Sequence, residues 1–391
     1  MNLPMAPSRS APASPPGGGG ATLPMIPTPA PAPALSPQQI ADLKEEVRSL
    51  ARERDAVILA HNYQVPEVQD VADYVGDSLG LSRRAAASDA KVIAFCGVHF
   101  MAETASILCA RKTVLIPDLD AGCSLAASID AAQLADWRAT YPEGVVVMYV
   151  NTTAEVKALT DYCCTSANAV DVVRHIYDTH GADTEILFGP DMWLGAYVEK
   201  QLGRRMHVWD GECHVHAGIR PADIEAVRAA HPGADFLIHP ECGCTTSVME
   251  YVAAGDIAAA GVHMLSTGGM LHYAEDAEAA LSAAGGAGEH GTQVEEPGYA
   301  TSSQAAGENG GPGRVREAIV ATETGMLYPL ALAAPDVRFI PANAQASCVY
   351  MKMITLPKLR DALAEMKHEV RVPEEIAARA RVPIDRMVAI G

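Results

Sequence analysis

Blocks of apolar residues at helical spacing give way to short apolar runs along this chain, and the change recurs three times. SPQQIADLKEEVRSLARERD carries its apolar positions at helical period and leads into the strand-like AVILAHNYQ. The same order returns as SIDAAQLADWRATYPEG before VVVMYVN, and as IRPADIEAVRAAHPGA before DFLIHPE. Each copy continues with a second strand into a turn: IAFCGVHFMAE, ILFGPDMWLGA and AIVATETGMLY. A third strand then leads to a cysteine, in VLIPDLDAGC, MHVWDGEC and VRFIPANAQASC. Short apolar strands alternating with helices predict an α/β fold of three pseudo-threefold-related repeats, each a short parallel sheet with helices on both faces. Functional groups in such sheets gather beyond the carboxyl ends of the strands, which puts the expected site at the central axis.

Spacing fixes the register of the repeat. His61 and Tyr149, Ser78 and Ser166, and the pairs Glu67-Val68 and Glu155-Val156 are each 88 residues apart. Tyr149 and His239 are 90 apart, as are Cys123 and Cys213, so cysteine and polar strand end move together. Cys348 follows Cys213 by 135 because the third copy holds an insertion. The expected division is a Pro/Ala-rich disordered tail over 1–35, repeats over 36–122, 123–212 and 213–347, and C-terminal helices over 348–391. The insertion, about 283–313, is Gly- and Glu-rich without apolar period and reads as a disordered surface segment.

Composition narrows the partners. With a formal charge of −19 and no basic run, the chain would be repelled by nucleic acid and by anionic membrane surfaces, which leaves small molecules. No apolar stretch reaches about 18 residues and the first residues lack a secretory pattern, so a soluble cytoplasmic protein is expected. Nine cysteines then read as reduced thiols, metal ligands or core residues rather than a disulfide framework.

Cys123, Cys213 and Cys348 stand a few residues past a strand and just before a helical stretch, where a helix N-terminus is expected to lower a thiol's pKa. Three equivalent thiolates form a soft tripod suited to an iron–sulfur cluster, zinc or copper(I). The plain alternative, three buried core cysteines, explains any one of them but not their recurrence at one place in each copy. Cys96, Cys109, Cys163, Cys164, Cys242 and Cys244 have no threefold counterpart. Cys96 and Cys109 read as core, and the Cys242-x-Cys244 spacing is a weak zinc or redox hint.

The aligned strand ends offer His61 and Tyr63, Tyr149 and Asn151, and His239 and Glu241. Alternate residues on a strand point the same way, so each pair can face the centre. Any one of them could merely satisfy backbone groups at a sheet edge, whereas three matched pairs favour chemistry. Glu241 is the candidate base, with Tyr63 or His61 relaying protons. Ser78, Ser166 and Thr267 are hydroxyls beside small residues where a helix could start, a setting that binds carboxylate or phosphate without net positive charge. Thr267 departs from the spacing, since it lies 26 residues past Glu241 while Ser166 lies 15 past Asn151.

These motifs together, AHNYQ, GDSL, MYVNTTAEVKA, TSANA, WDGECHVH, HPECGC, LSTGGM and ATETGMLYP with the three spaced cysteines, resemble the quinolinate synthase family of NAD biosynthesis. The likeness runs from about Ser36 to the C-terminus, except the insertion. It implies a four-iron four-sulfur cluster on Cys123, Cys213 and Cys348, and condensation of iminoaspartate with dihydroxyacetone phosphate to quinolinate, phosphate and water. It further implies substrate contacts from His61, Tyr63, Ser78, Tyr149, Asn151, Ser166, His239, Glu241 and Thr267, and an L-aspartate oxidase as a partner supplying the imine. Two rivals stay open: an iron–sulfur hydro-lyase for another small hydroxy acid, and a zinc-stabilised binding protein.

Overall fold

The structure, a computed structural model, describes residues 35–254, 260–285 and 316–390. The expected tail lies, but for its last residue, outside the described residues, as does the expected insertion from 286 onward. The helix Thr267–Gly285 reaches into the first residues of that segment.

Among the described residues twelve strands form three sheets: β1 (Ala56–His61), β2 (Tyr74–Gly76), β3 (Val92–Cys96) and β4 (Thr113–Leu115); β5 (Val145–Tyr149), β6 (Tyr162–Cys164), β7 (Ile186–Gly189) and β8 (His207–Val208); β9 (Asp235–Ile238), β10 (Val262–Met264), β11 (Arg316–Ala321) and β12 (Val337–Pro341). Their orders are β2-β1-β3-β4, β6-β5-β7-β8 and β10-β9-β11-β12, one pattern used three times. All pairings within the sheets are parallel, for instance His61 opposite Gly76 and Tyr149 opposite Cys164. Stepping outward from the first strand in opposite directions, with right-handed crossovers, places helices on both faces. The α/β repeat expected from the sequence is thus present.

Sequence reading passed over the second strand of each unit, because runs of three residues carry no measurable period. Two of the three are tied by an aspartate at the same offset. The carboxylate of Asp73 accepts the Ile58 N–H at 2.7 Å, and that of Asp161 accepts the Val146 N–H at 2.9 Å. In the third unit Gly261, at φ +80°, replaces it, and its carbonyl accepts the Phe236 N–H at 2.6 Å. A side chain at 261 would be strained by that φ and would meet the carboxylate of Asp235.

The two central strands of each sheet are largely buried, as apolar runs in parallel sheets require, and one core cluster joins Val47 and Ile93 of the first unit to Val147 and Phe188 of the second and Leu237 of the third. Phe188, fully buried in β7, is among its largest members. Phe188→Ala should cost about 3–5 kcal/mol in urea unfolding; a loss under 1 kcal/mol would show that the sheet does not rely on this contact. C-terminal segments tie the units together. Arg54 donates to the carbonyls of Leu363 and Ala364 at 3.2 and 2.7 Å, and the Asn168 amide donates to those of Met387 and Ile390 at 2.9 and 2.7 Å. Among the described residues no helix is long and apolar enough to cross a membrane.

Candidate active site

One cavity is walled by the carboxyl ends of all three sheets, and all twelve residues singled out in the sequence line it. Its atom-free space, counting the part open to solvent, is about 700 Å³. His61 and Tyr149 close β1 and β5, while Tyr63, Asn151, His239 and Glu241 sit in the turns just beyond β1, β5 and β9. Ser78 and Thr267 are the first residues of the helices Ser78–Ala87 and Thr267–Gly285. Ser166 differs: it stands in the turn after β6, and Asn168 caps the helix that follows. The odd spacing of Thr267 has a simple cause, since the helix Thr245–Ala254 has ten residues where Ala154–Lys157 has four.

Hydrogen bonds knit the strand ends across units. Tyr63 Oη meets Thr322 Oγ1 at 2.6 Å and His216 Nε2 at 3.2 Å, and His216 Nε2 meets Thr322 Oγ1 at 2.9 Å. The Tyr149 hydroxyl donates to Glu241 Oε1, and Ser166 Oγ lies 3.2 Å from His239 Nε2. His216 and His239 stack at 4.8 Å between ring centres, and His61 stands edge-on to Tyr63 at 4.6 Å. The buried amide oxygen of Asn151 has no partner among the described residues, so a ligand donor would satisfy it.

Burial sets the protonation states. It drives His61 and His216 down to about 3 and His239 well below the ordinary range, so all three imidazoles are neutral at pH 7. Burial, with the nearby Glu241 charge, pushes Tyr63 and Tyr149 well above 10, leaving neutral phenols. Burial first, and Asp191 second, lifts Glu241 to about 8 from its ordinary 4.5. The folded carboxyl therefore keeps its proton where the unfolded one loses it, and stability must fall as pH rises from about 4.5 to 8. In metal-free protein the Tm of wild type is expected to drop over that window relative to Glu241→Gln, which has no such proton; a constant difference would refute it.

One expectation is overturned at the thiols. Helix starts were expected to lower their pKa, and backbone N–H groups do face each sulfur: Leu125 and Ala126 at Cys123, His216 at Cys213, Tyr350 and Met351 at Cys348. Burial outweighs them. It pushes Cys123 up to about 12, raises Cys213 and Cys348 as well, and the charge of neighbouring thiolates adds to it at Cys123 and Cys213. The turns here are a single short helical turn each, too short for a strong dipole, and the sulfurs face an enclosed space. A second correction concerns Cys242 and Cys244, which form a disulfide rather than staying reduced. Cys96 and Cys109 are buried core residues, as are Cys163 and Cys164 in β6.

Three further residues stand out: His216 and Glu323 line the cavity, and Thr322 bonds to His216 behind it. Thr322 and Glu323 lie within ATETGMLYP and His216 within WDGECHVH; a search for one residue type recurring in all three copies passes over them, because Glu323 answers to Asp191 in the second unit but to Val98 in the first, and Thr322 and His216 answer to unlike residues. The available signal was the three-residue step from Cys213 to His216, which puts both on one face of a helical turn. Two buried carboxylates also hold the cysteine loops. Asp191 caps the helix Met192–Leu202 and accepts the Cys213 N–H at 3.2 Å. Glu323 accepts the N–H of Gly325 at 2.7 Å and of Cys348 at 2.9 Å, and pairs with Lys352 at 2.9 Å. Val98 caps the matching helix of the first unit without a carboxylate, and there the His99 N–H donates to the Ala121 carbonyl at 2.7 Å.

Known proteins share this pattern over most of their length. The family model of the quinolinate synthetase A protein matches residues 45–286 and 299–389. A quinolinate synthase of Thermus thermophilus is 51% identical over 349 residues, covering 89% of this chain and 97% of its own. One of Mycobacterium tuberculosis is 51% identical over 347 residues, covering 88% of each chain, and one of a Mycobacterium sp. is 50% identical over 347 residues, covering 88% and 91%. The relatives are enzymes, and their similarity spans the cysteines, the strand ends and the three sheets alike, so the chain belongs to the quinolinate synthetase A family.

Proposed function

We propose that this chain condenses iminoaspartate with dihydroxyacetone phosphate to give quinolinate, phosphate and water, and that Cys123, Cys213 and Cys348 hold a four-iron four-sulfur cluster. The observation that carries the reading is the convergence of three thiols and nine polar side chains, drawn from all three units, on one cavity. The donor set fits the cluster. Backbone N–H groups face each sulfur, and among the described residues the donors that close to within 4.8 Å of one another are Cys213, His216 and Glu241, not the cysteine trio. Proposed boundaries follow the repeats: 36–122, 123–212 and 213–347, completed by 348–391.

When bound, the cluster offers one iron without a protein ligand, a Lewis acid for a substrate hydroxyl or carboxylate. The remaining work falls to the side chains. Ser78, Ser166 and Thr267, with N–H groups at the two helix starts, anchor carboxylates and phosphate in an acidic protein that lacks a basic clamp. Asn151 and Tyr149 orient the bound substrate. Glu241, poised near 8, takes and returns a proton. Tyr63 and His61, both neutral and stacked edge to face, relay it to the turn beyond β1. The imine is hydrolysed by water, so an L-aspartate oxidase in the same cytoplasm is the proposed source.

Anaerobic purification followed by iron, sulfide and zinc analysis, with product chromatography, tests this. About four iron and four sulfide per chain and quinolinate formed only with both substrates are expected. Failure of zinc-free protein to take up iron and sulfide, or turnover of a single hydroxy acid, would overturn it in favour of one of the two rivals.

A further inference from the structure

The cavity contains a second, tighter donor set. Cys213 Sγ, a ring nitrogen of His216 and a carboxylate oxygen of Glu241 all lie within 4.8 Å of one another. Neighbours already orient two of these groups. Thr322 Oγ1 at 2.9 Å and Tyr63 Oη at 3.2 Å engage His216 Nε2. That leaves His216 Nδ1 buried and facing Glu241 Oε2 at 3.3 Å, with no other hydrogen-bond partner among the described residues. Tyr149 occupies Glu241 Oε1, so Oε2 is the oxygen free for another ligand. An imidazole held by one nitrogen with the other bare is how proteins set the tautomer and ring plane of a metal-binding histidine.

The backbone makes this proximity possible. His216 lies on the turn His214–Ala217 directly after Cys213. The loop that follows Glu241 closes on that turn through Gly243, whose N–H donates to the His216 carbonyl at 3.0 Å. A Cβ at 243 would stand 3.0 Å from the Ala217 carbonyl oxygen, so the approach needs glycine.

We propose that, in protein without a cluster, Cys213, His216 and Glu241 bind one zinc ion with water as its fourth ligand. Thiolate, imidazole and carboxylate are all zinc donors, and three protein ligands with one open position make a four-coordinate site. Binding sends two protons to solvent, one from the Cys213 thiol and one from the Glu241 carboxyl. Cys213 serves both metals, so zinc blocks cluster loading. That block rests on the cluster reading, whereas the zinc site stands without it.

The test uses the full chain, freed of metal by anaerobic chelation and titrated with zinc chloride against a chromophoric chelator, then with cobalt(II), whose thiolate charge-transfer band reports sulfur ligation. One equivalent should bind. Cys123→Ala and Cys348→Ala should bind as wild type does. His216→Ala and Glu241→Gln should bind at least about 10-fold more weakly, and Thr322→Val, which removes only the outer hydrogen bond, about 10- to 100-fold more weakly. Zinc affinity lost in Cys348→Ala, or unchanged in both His216→Ala and Glu241→Gln with wild-type circular dichroism, would overturn the site. Zinc-loaded protein should take up no iron and sulfide until the zinc is chelated, and full uptake over bound zinc would overturn the block. Failure of zinc-free protein to take up iron and sulfide would instead overturn the cluster reading, while the titration judges the zinc site separately.

Discussion

Alanine at Cys123, Cys213 or Cys348, one at a time, should leave a colourless chain with background quinolinate formation, while Cys96→Ala keeps colour and turnover. The expectation follows from position. The three thiols line one cavity from three units, with backbone N–H groups facing each sulfur. Cys96 is enclosed within β3, where burial pushes its thiol far up and keeps it inert. A buried thiol in this cavity ionises only when a metal supplies the opposing charge, so removing one ligand also removes what holds the other two as thiolates. Iron and sulfide per chain, the visible spectrum and product formation read the result. Full iron content in the triple alanine variant would end the assignment.

Glu241→Gln is expected to lower turnover about 10²- to 10⁴-fold while leaving iron and sulfide content near that of wild type. Glutamine keeps the shape and can still accept the Tyr149 hydroxyl, so the cavity should not collapse. It cannot take a proton. The carboxyl sits between Tyr149 and His216 with its proton held to about 8, which suits a group that must both accept and return one near neutral pH. Wild-type kcat should therefore change with pH around 8, and the variant should lose that limb. Unchanged turnover would remove Glu241 from the chemistry, and loss of iron along with turnover would make its role structural.

Three copies of one unit bring equivalent positions to a common cavity, so residues that recur in the sequence line it together. His61, Tyr149 and His239 are one position, and Cys123, Cys213 and Cys348 another, so each alignment gathered residues from all three sheets before any contact was known. The same method was blind wherever the copies differ. His216 and Thr322 occur once, the carboxylates Asp191 and Glu323 share one position in only two of the copies, and the importance of all four lies in what they touch across long sequence distances: His216 with Thr322, Asp191 with Cys213, Glu323 with Cys348. The pairing of Cys242 with Cys244 is likewise a matter of distance, which a C-x-C spacing leaves open.

By itself, then, the sequence determined the class of fold, the threefold register and the two sets of equivalent residues, because hydrophobic period and repeat spacing are local properties of the chain. Only the tertiary structure decided the protonation states. Helix starts at the cysteines favour thiolates and the strand-end histidines have ordinary intrinsic pKa values, but enclosing them in one cavity penalises charge more than short turns can offset. Desolvation depends on everything packed around a group, from every unit at once, and no stretch of the sequence carries that information.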